Sequence, residues 1–370
     1  MDINTSSLFR QPQKKIIIIG AGIVGVMQAW YLAKMSNMQI ILLDKADAGL
    51  GATKASFAWL NVSYGRPDAY QQLRSEAIHS WRILDKQTQG KLNIDWSGAI
   101  SWMSSDEETA QFIQLHHQAG FNVQTLNKAQ LIHKVPQLSQ PPELAAFASD
   151  EGAVDPLHAI NVLLQQAQEM GVKYYANTEV TRLLQDKHRI IGVETTKEKI
   201  QADHVILTAG VGSLALLAEK DIDLPLSASP SILLKLTSDA KNAFLPCIIS
   251  TPEMELRPFA QNEIIAAEDY IDNSDEHHPE HIASHAQATF YDNFTQTGKL
   301  TIKKVIVGER PMPKDEMPII GEVSPYQGLY LVTMHAAVTL SPLLCELVAQ
   351  ELIDEKANPR LTPYRLSRFS

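Results

Sequence analysis

Cysteine is scarce in this chain of 370 residues: Cys247 and Cys345 form neither a C-x-x-C pair nor a disulfide framework. A disulfide-stapled fold is thereby excluded, and a reducing, cytoplasmic setting is expected. Positive charge is in deficit, with 32 Lys and Arg against 42 Asp and Glu and a net charge of −10. Without a basic stripe, nucleic acid is not an expected partner. The deficit does not exclude an anionic cofactor, because helix N-termini bind anions locally. Internal repeats and low-complexity tracts are lacking, which excludes a solenoid. Residues 16–33, behind Lys14 and Lys15, have the outline of a signal peptide or membrane span. Three glycines in ten residues weaken insertion, Gln28 interrupts the run, and no small-x-small cleavage site follows, so no transmembrane segment is expected.

Apolar residues make up 45% of the chain, enough for one large core or two ordinary ones. The most informative stretch is residues 14–25, where the apolar run Ile16-Ile17-Ile18-Ile19 ends in Gly20-Ala21-Gly22-Ile23-Val24-Gly25 and opens into a helical pattern. A second apolar run, residues 39–43, ends in Asp44, with Lys45 beside it. Strand, G-x-G-x-x-G turn, helix, strand and acid in this order are what a dinucleotide-binding βαβ unit requires. Gly20 allows the tight turn, Gly22 lets backbone approach a pyrophosphate, and Gly25 lets the helix pack close to the strand. The N–H groups of Ala21, Ile23 and Val24 belong to the turn and the positive helix end that face the phosphates. Asp44, 24 residues past Gly20, stands where a carboxylate hydrogen-bonds a ribose hydroxyl.

Periodicity predicts helices over 67–87 and 106–120, and a strand-like segment over 92–103. Asp155-Pro156 gives an N-cap followed by proline at the first helical position, starting a helix to Met170 with Gly171 as its C-terminal cap. Short strands follow at 172–175, 179–185, 189–195 and 199–201, then a buried-strand run over 203–208 that ends in Ala209-Gly210. Residues 225–307 read as strands and turns with one helix from Pro279, and a last strand over 328–333 precedes a helix starting at Ser341-Pro342. Nucleotide-binding signals thus recur at the beginning, middle and end. The expected fold is α/β, with a discontinuous Rossmann-like domain (14–80, 150–217 and 308–366). An inserted α+β domain (81–149 and 218–307) is expected to hold a mixed, largely antiparallel sheet.

Together these pieces resemble the D-amino-acid oxidase superfamily of FAD enzymes, which includes glycine oxidase, sarcosine oxidase and D-amino-acid dehydrogenase. Besides the fingerprint with Asp44, the matching residues are Gly51-Ala52-Thr53-Lys54-Ala55-Ser56, Val154-Asp155-Pro156, Thr208-Ala209-Gly210, the stretch 309–321, Gly328-Leu329-Tyr330, Met334-His335 and Val338-Thr339-Leu340-Ser341-Pro342. The resemblance implies FAD in an extended pose, with a second domain over the flavin ring. By position, Thr53, Ala55 and Ser56 would line the phosphate and ribityl path, and the backbone of Val180 would touch adenine. His335, Ala336, Val338 and Thr339 would run past the isoalloxazine, beside the helix end expected at Ser341.

The family oxidises a carbon–nitrogen bond by passing hydride from the α-carbon to flavin N5, so the protein chiefly positions substrate and tunes charge. Such a reaction needs a cation that grips the substrate carboxylate, and Arg310 in Glu309-Arg310-Pro311 matches the arginine with that role in glycine-oxidase-like members. Arg257 is a second candidate. Where several members place a carboxylate-binding tyrosine, this chain has Glu255 or Met254; an inward Glu255 would favour a substrate with an extra cationic group, and an outward one would be a plain strand residue. The position of the linking cysteine in sarcosine oxidases falls near Gly308, so FAD is expected to be non-covalent. His277, His278, His281 and His285 include an i, i+4 pair, yet Ile282 stands where H-E-x-x-H needs glutamate, so no metal is expected. The expected activity is oxidation of an amino acid or secondary amine to an imine, with oxygen or a quinone as final acceptor. Two other readings stay open: oxidation of an alcohol or modified nucleoside on the same fold, and a non-catalytic flavin-binding subunit.

Overall fold

The computed structural model describes residues 13–63, 68–240, 245–269 and 278–369. Its first layer is a six-stranded sheet with Lys15–Ile19 near the middle. That strand runs parallel to His204–Leu207 on one side and Gln39–Leu43 on the other. Lys173–Tyr175 and Leu329–Thr333 extend the parallel order outward, and Ile319–Glu322 closes one edge antiparallel. Segments from the beginning, middle and end of the chain therefore share one sheet, as the recurring signals imply. The central strands are buried on both faces, which is why they read as unbroken apolar runs and not as alternating ones. Helix Ile23–Met35 crosses over from the first strand and packs with Pro156–Glu169 and Ala337–Asp354. At thirteen residues it is far too short to span a bilayer, and among the described residues no helix is long and apolar enough to do so.

The second layer is an eight-stranded sheet in the order Leu300–Pro313, Leu226–Ser238, Glu263–Asp269, Glu255–Pro258, Ile248–Ser250, Ala99–Ser101, Leu144–Ala148, Val123–Asn127. Every neighbouring pair is antiparallel except Ile248–Ser250 with Ala99–Ser101. The α/β reading, with one mostly parallel and one largely antiparallel sheet, holds. Even-numbered residues of Leu226–Ser238 (Ile232, Leu234, Leu236) pack with Leu256 and with Phe290 of helix Pro279–Asn293. The opposite face carries Leu233, Ile265 and Ile306 against Ala55 and Phe57, and so meets the nucleotide-binding layer.

Three local expectations differ from the structure. The final helix begins at Ala337, and Pro342 lies inside it. Proline there removes the donor that would bond the Val338 carbonyl, and Trp81 Nε1 supplies it instead, at 2.9 Å from Val338 O and 3.1 Å from Thr339 O. Of residues 92–103 only Ala99–Ser101 is a strand, because Asn93 and Gly98 take positive φ (51° and 86°) and turn the chain. Residues 308–313, grouped by sequence with the C-terminal nucleotide-binding segment, continue the long strand Leu300–Pro313 and pair with Leu226–Ser231 in the larger sheet.

Candidate active site

The glycine turn sits at the carboxyl end of the central strand, where ligands of open α/β sheets bind. A side chain at Gly25 would lie 1.8 Å from the Gly20 carbonyl oxygen, so helix and turn meet backbone to backbone. Gly20 has φ +100° and abuts Ala209, which brings the end of His204–Leu207 beside the turn. At Gly22 an added Cβ meets only Thr53 Oγ1, at 3.3 Å, leaving the backbone open to a ligand. The first N–H groups of a helix lack intrahelical acceptors; that of Ile23 donates to Thr53 Oγ1 at 3.1 Å, fixing the loop 52–55 against the turn. Asp44 accepts from Ala21 N (2.6 Å) and Ala46 N (2.9 Å), so its carboxylate is aimed along the turn. Val180 joins this end through Thr178 N, which donates to Asp44 O at 2.7 Å. Lys45 is exposed at its rim. Close backbone approach, N–H groups at a helix end and an oriented carboxylate fit the pyrophosphate and ribose of a dinucleotide.

Farther along, four separate segments meet. Ala55 packs against Gly308, where any Cβ would sit 2.3 Å from the Ala55 methyl carbon, so a linking side chain has no room there. Gly210, with φ +56°, faces Pro311. Ser56 Oγ accepts from Ala58 N at 3.1 Å, and the turn at Ala58 (φ 57°) leads into Trp59, whose carbonyl accepts from Thr339 Oγ1 at 3.0 Å. Segments 52–60, 209–212, 308–311 and 335–339 are thus drawn together, although they are scattered in sequence.

Arg310 projects from this convergence. Its register partner is Ser229, and Nη2 donates to Ser229 Oγ (3.0 Å) and Pro230 O (3.2 Å). Beside it, burial first and then the Arg310 and Arg74 guanidiniums push the His335 imidazole from 6.5 down to about 4. His335 is therefore neutral at pH 7.

Glu255 and Arg257 lie on the same sheet face as Arg310, since the intervening Leu256 enters the core on the other side. Glu255 shares that face but not the position of Arg310 along it. Two strands lie between theirs, and three strand spacings and four residues separate them, roughly 20 Å on a flat sheet. Arg257 is farther still and only 4% exposed; its guanidinium lies over Phe57 and Phe259 and donates to Val154 O at 3.4 Å. Burial, offset in part by Asp155 and Asp95, lowers its pKa to about 10, so it stays charged.

Sequence reading missed Arg74, Asn61 and Glu151. Arg74 is 5% exposed in helix Ala69–Gln87, lies over the Tyr70 ring and donates to Asn61 Oδ1. A signal existed: it sits among the apolar positions that include Ala77 and Trp81, where a charge is out of place. Glu151 is buried and accepts from Trp59 Nε1 (2.8 Å) and from Val62 N and Ser63 N (2.6 Å each), pinning the loop that carries Asn61. Desolvation raises its pKa against those donors. No local pattern announces it.

Cys247 and Cys345 are buried, and burial raises both thiols, Cys247 to about 12. His278 caps the helix Pro279–Asn293 through its ring, while His277 lies outside the described residues. Among the described residues no three His, Cys, Asp or Glu side chains gather as a metal site.

Residues 15–351 match the profile of the DAO family, described as FAD dependent oxidoreductase. Among curated proteins the chain is 23% identical over 350 residues to a glycine oxidase of Pseudomonas aeruginosa, spanning 91% of this chain and 94% of that one. It is 23% identical over 386 residues to a D-amino acid dehydrogenase of Vibrio cholerae, spanning 88% and 91%. Among solved structures, a glycine oxidase from Geobacillus kaustophilus superposes with a TM-score of 0.84 at 18% identity, over 96% of this chain and 99% of that one.

Proposed function

The chain belongs to the DAO family of FAD dependent oxidoreductases, and from that premise we propose that it oxidises the carbon–nitrogen bond of an amino acid or secondary amine anchored by Arg310. The observation that carries this reading is the meeting of the segments around Gly210, Gly308 and Thr339 beside a guanidinium held by Ser229 and Pro230. Gly20, Gly22, Gly25, Asp44 and Thr53 would hold the nucleotide end of FAD without a covalent link, with Ala55, Ser56 and Gly210 along its path. When bound, FAD supplies acceptance of a hydride from the substrate carbon. Arg310 grips the carboxylate at two points and so fixes the α-carbon's position, which converts encounter into orientation. His335, with its pKa lowered to about 4 by burial and the nearby guanidiniums, is too weak a base to strip an ammonium group at neutral pH, and no base is needed if the amine enters uncharged. The imine that leaves is hydrolysed by water. The relatives named a glycine oxidase and a D-amino acid dehydrogenase support an amino-acid substrate. The test is anaerobic mixing of the FAD-loaded protein with amines, amino acids and alcohols. Bleaching of the flavin band by carboxylate-bearing amines alone is expected; bleaching by alcohols, or by none of them, refutes the proposal.

A further inference from the structure

We propose that Glu151 is a positioning residue of the reaction. Through the Trp59 indole it sets the place of the first turn of helix Ala337–Asp354, and so governs how readily the flavin accepts hydride and not how tightly substrate binds. This deepens the reading above and rests on it. Among the described residues Glu151 is the only buried carboxylate, at 2% exposure. Such a group is costly unless hydrogen-bonded, and the N–H donors that meet it come from one short segment. Val62 N and Ser63 N both bond to Oε1 (2.6 Å each), and Trp59 Nε1 bonds to Oε2 (2.8 Å). An amide of the same shape could serve the two backbone groups with its single oxygen, but its NH2 would then face the indole N–H, donor against donor. The tryptophan is what requires the carboxylate.

Trp59 carries the effect onward. Trp59–Leu60 pairs with Gly152–Ala153, and Val154 N donates to Ala58 O at 3.2 Å, so backbone and indole are both fixed. The carbonyl of Trp59 then accepts from Thr339 Oγ1 at 3.0 Å. Thr339 is the third residue of its helix, and the N-cap, Ala336, offers no side-chain cap. The helix end is instead braced by two indoles: Trp81 through the Val338 and Thr339 carbonyls, and Trp59 through the Thr339 hydroxyl. Trp59 is also tied to the eight-stranded sheet, since Gly98 N, one residue before strand Ala99–Ser101, donates to Glu151 O at 3.1 Å. The positive end of a helix stabilises negative charge arriving on a ligand only where its N–H groups are aimed. A shift of this end therefore changes acceptance of hydride. Arg310 is anchored elsewhere, on Ser229 and Pro230 of strand Leu226–Ser238, so the grip on substrate is set separately.

The experiment measures, on FAD-loaded protein, the reduction potential of the bound flavin by equilibration with a reference dye, together with kcat and KM for the best amine of the panel above. Glu151→Gln and Trp59→Phe should each shift the equilibrium between oxidised and reduced flavin about tenfold toward oxidised, a potential lower by roughly 30 mV for two electrons. Each should also lower kcat about tenfold while KM stays within about twofold. The double variant should do no more than either single one, because both break the same bond. A potential and a kcat per bound FAD equal to those of wild type, a change confined to KM, or losses that multiply in the double variant would overturn the inference while leaving amine oxidation standing. If no amine bleaches the wild-type flavin, the underlying reading falls, and the potentials alone decide for or against Glu151. Should Glu151→Gln fail to hold FAD, Trp59→Phe, which keeps an aromatic ring in place and removes the donor, carries the test.

Discussion

The two sheets present opposite kinds of site. The six-stranded sheet offers backbone: glycines at Gly20, Gly22 and Gly25, helix N–H groups and one oriented carboxylate. The eight-stranded sheet offers single side chains spaced along one face, Arg310, Glu255 and Arg257, whose meaning depends on register. Backbone sites tolerate almost no change in volume. Side-chain sites tolerate a change of volume and respond to a change of charge or hydrogen bonding.

This contrast can be broken from the largest effect downward. Gly25→Ala places a methyl 1.8 Å from the Gly20 carbonyl. It should cost more than about 3 kcal/mol and yield protein without yellow colour. Thermal unfolding and flavin content check it, and a stable yellow variant would dissolve the contrast. Trp81→Phe removes the donor to two carbonyls around Pro342 and should destabilise by about 1–3 kcal/mol, read as a lowered unfolding midpoint.

His335→Gln tests the cationic end through pH. Native His335 titrates near 4, below its ordinary 6.5. As pH falls through 6.5 the unfolded chain therefore takes up a proton that the native state refuses until about 4, and stability drops across that window. The glutamine variant should lose this part of the acid slope, measured as midpoints at a series of pH values. An unchanged slope would mean that burial and the two guanidiniums do not hold His335 below 6.5. The smallest effect is expected of Arg257→Met. A buried cation packed on two rings and bonded only weakly to Val154 O is replaced by an apolar chain of similar length, so stability should stay within about 1 kcal/mol.

The same contrast explains what could be read in advance. The βαβ turn was legible because each glycine answers a local steric demand that recurs at fixed spacing. Asp155-Pro156 was legible because capping is local: Asp155 Oδ1 accepts from Leu157 N and His158 N at 3.0 and 3.3 Å. The start of the last helix was misplaced because Pro342 obeys a partner 261 residues away, an indole that no pattern near it announces. Arg74 and Glu151 escaped for a related reason. Their roles are set by what the fold brings beside them, and an isolated charge on a helix or before a short strand has many meanings until its neighbours are fixed. Arg310 stood out only through resemblance; its anchors, Ser229 and Pro230, come from pairing of strands distant in sequence.

The most direct test of the division between a backbone that holds the cofactor and a side chain that holds the substrate is one sample of Arg310→Ala, assayed for FAD content and steady-state kinetics together. The account expects full FAD occupancy with KM for a carboxylate-bearing amine raised about a hundredfold. Loss of FAD, or an unaltered KM, would contradict it.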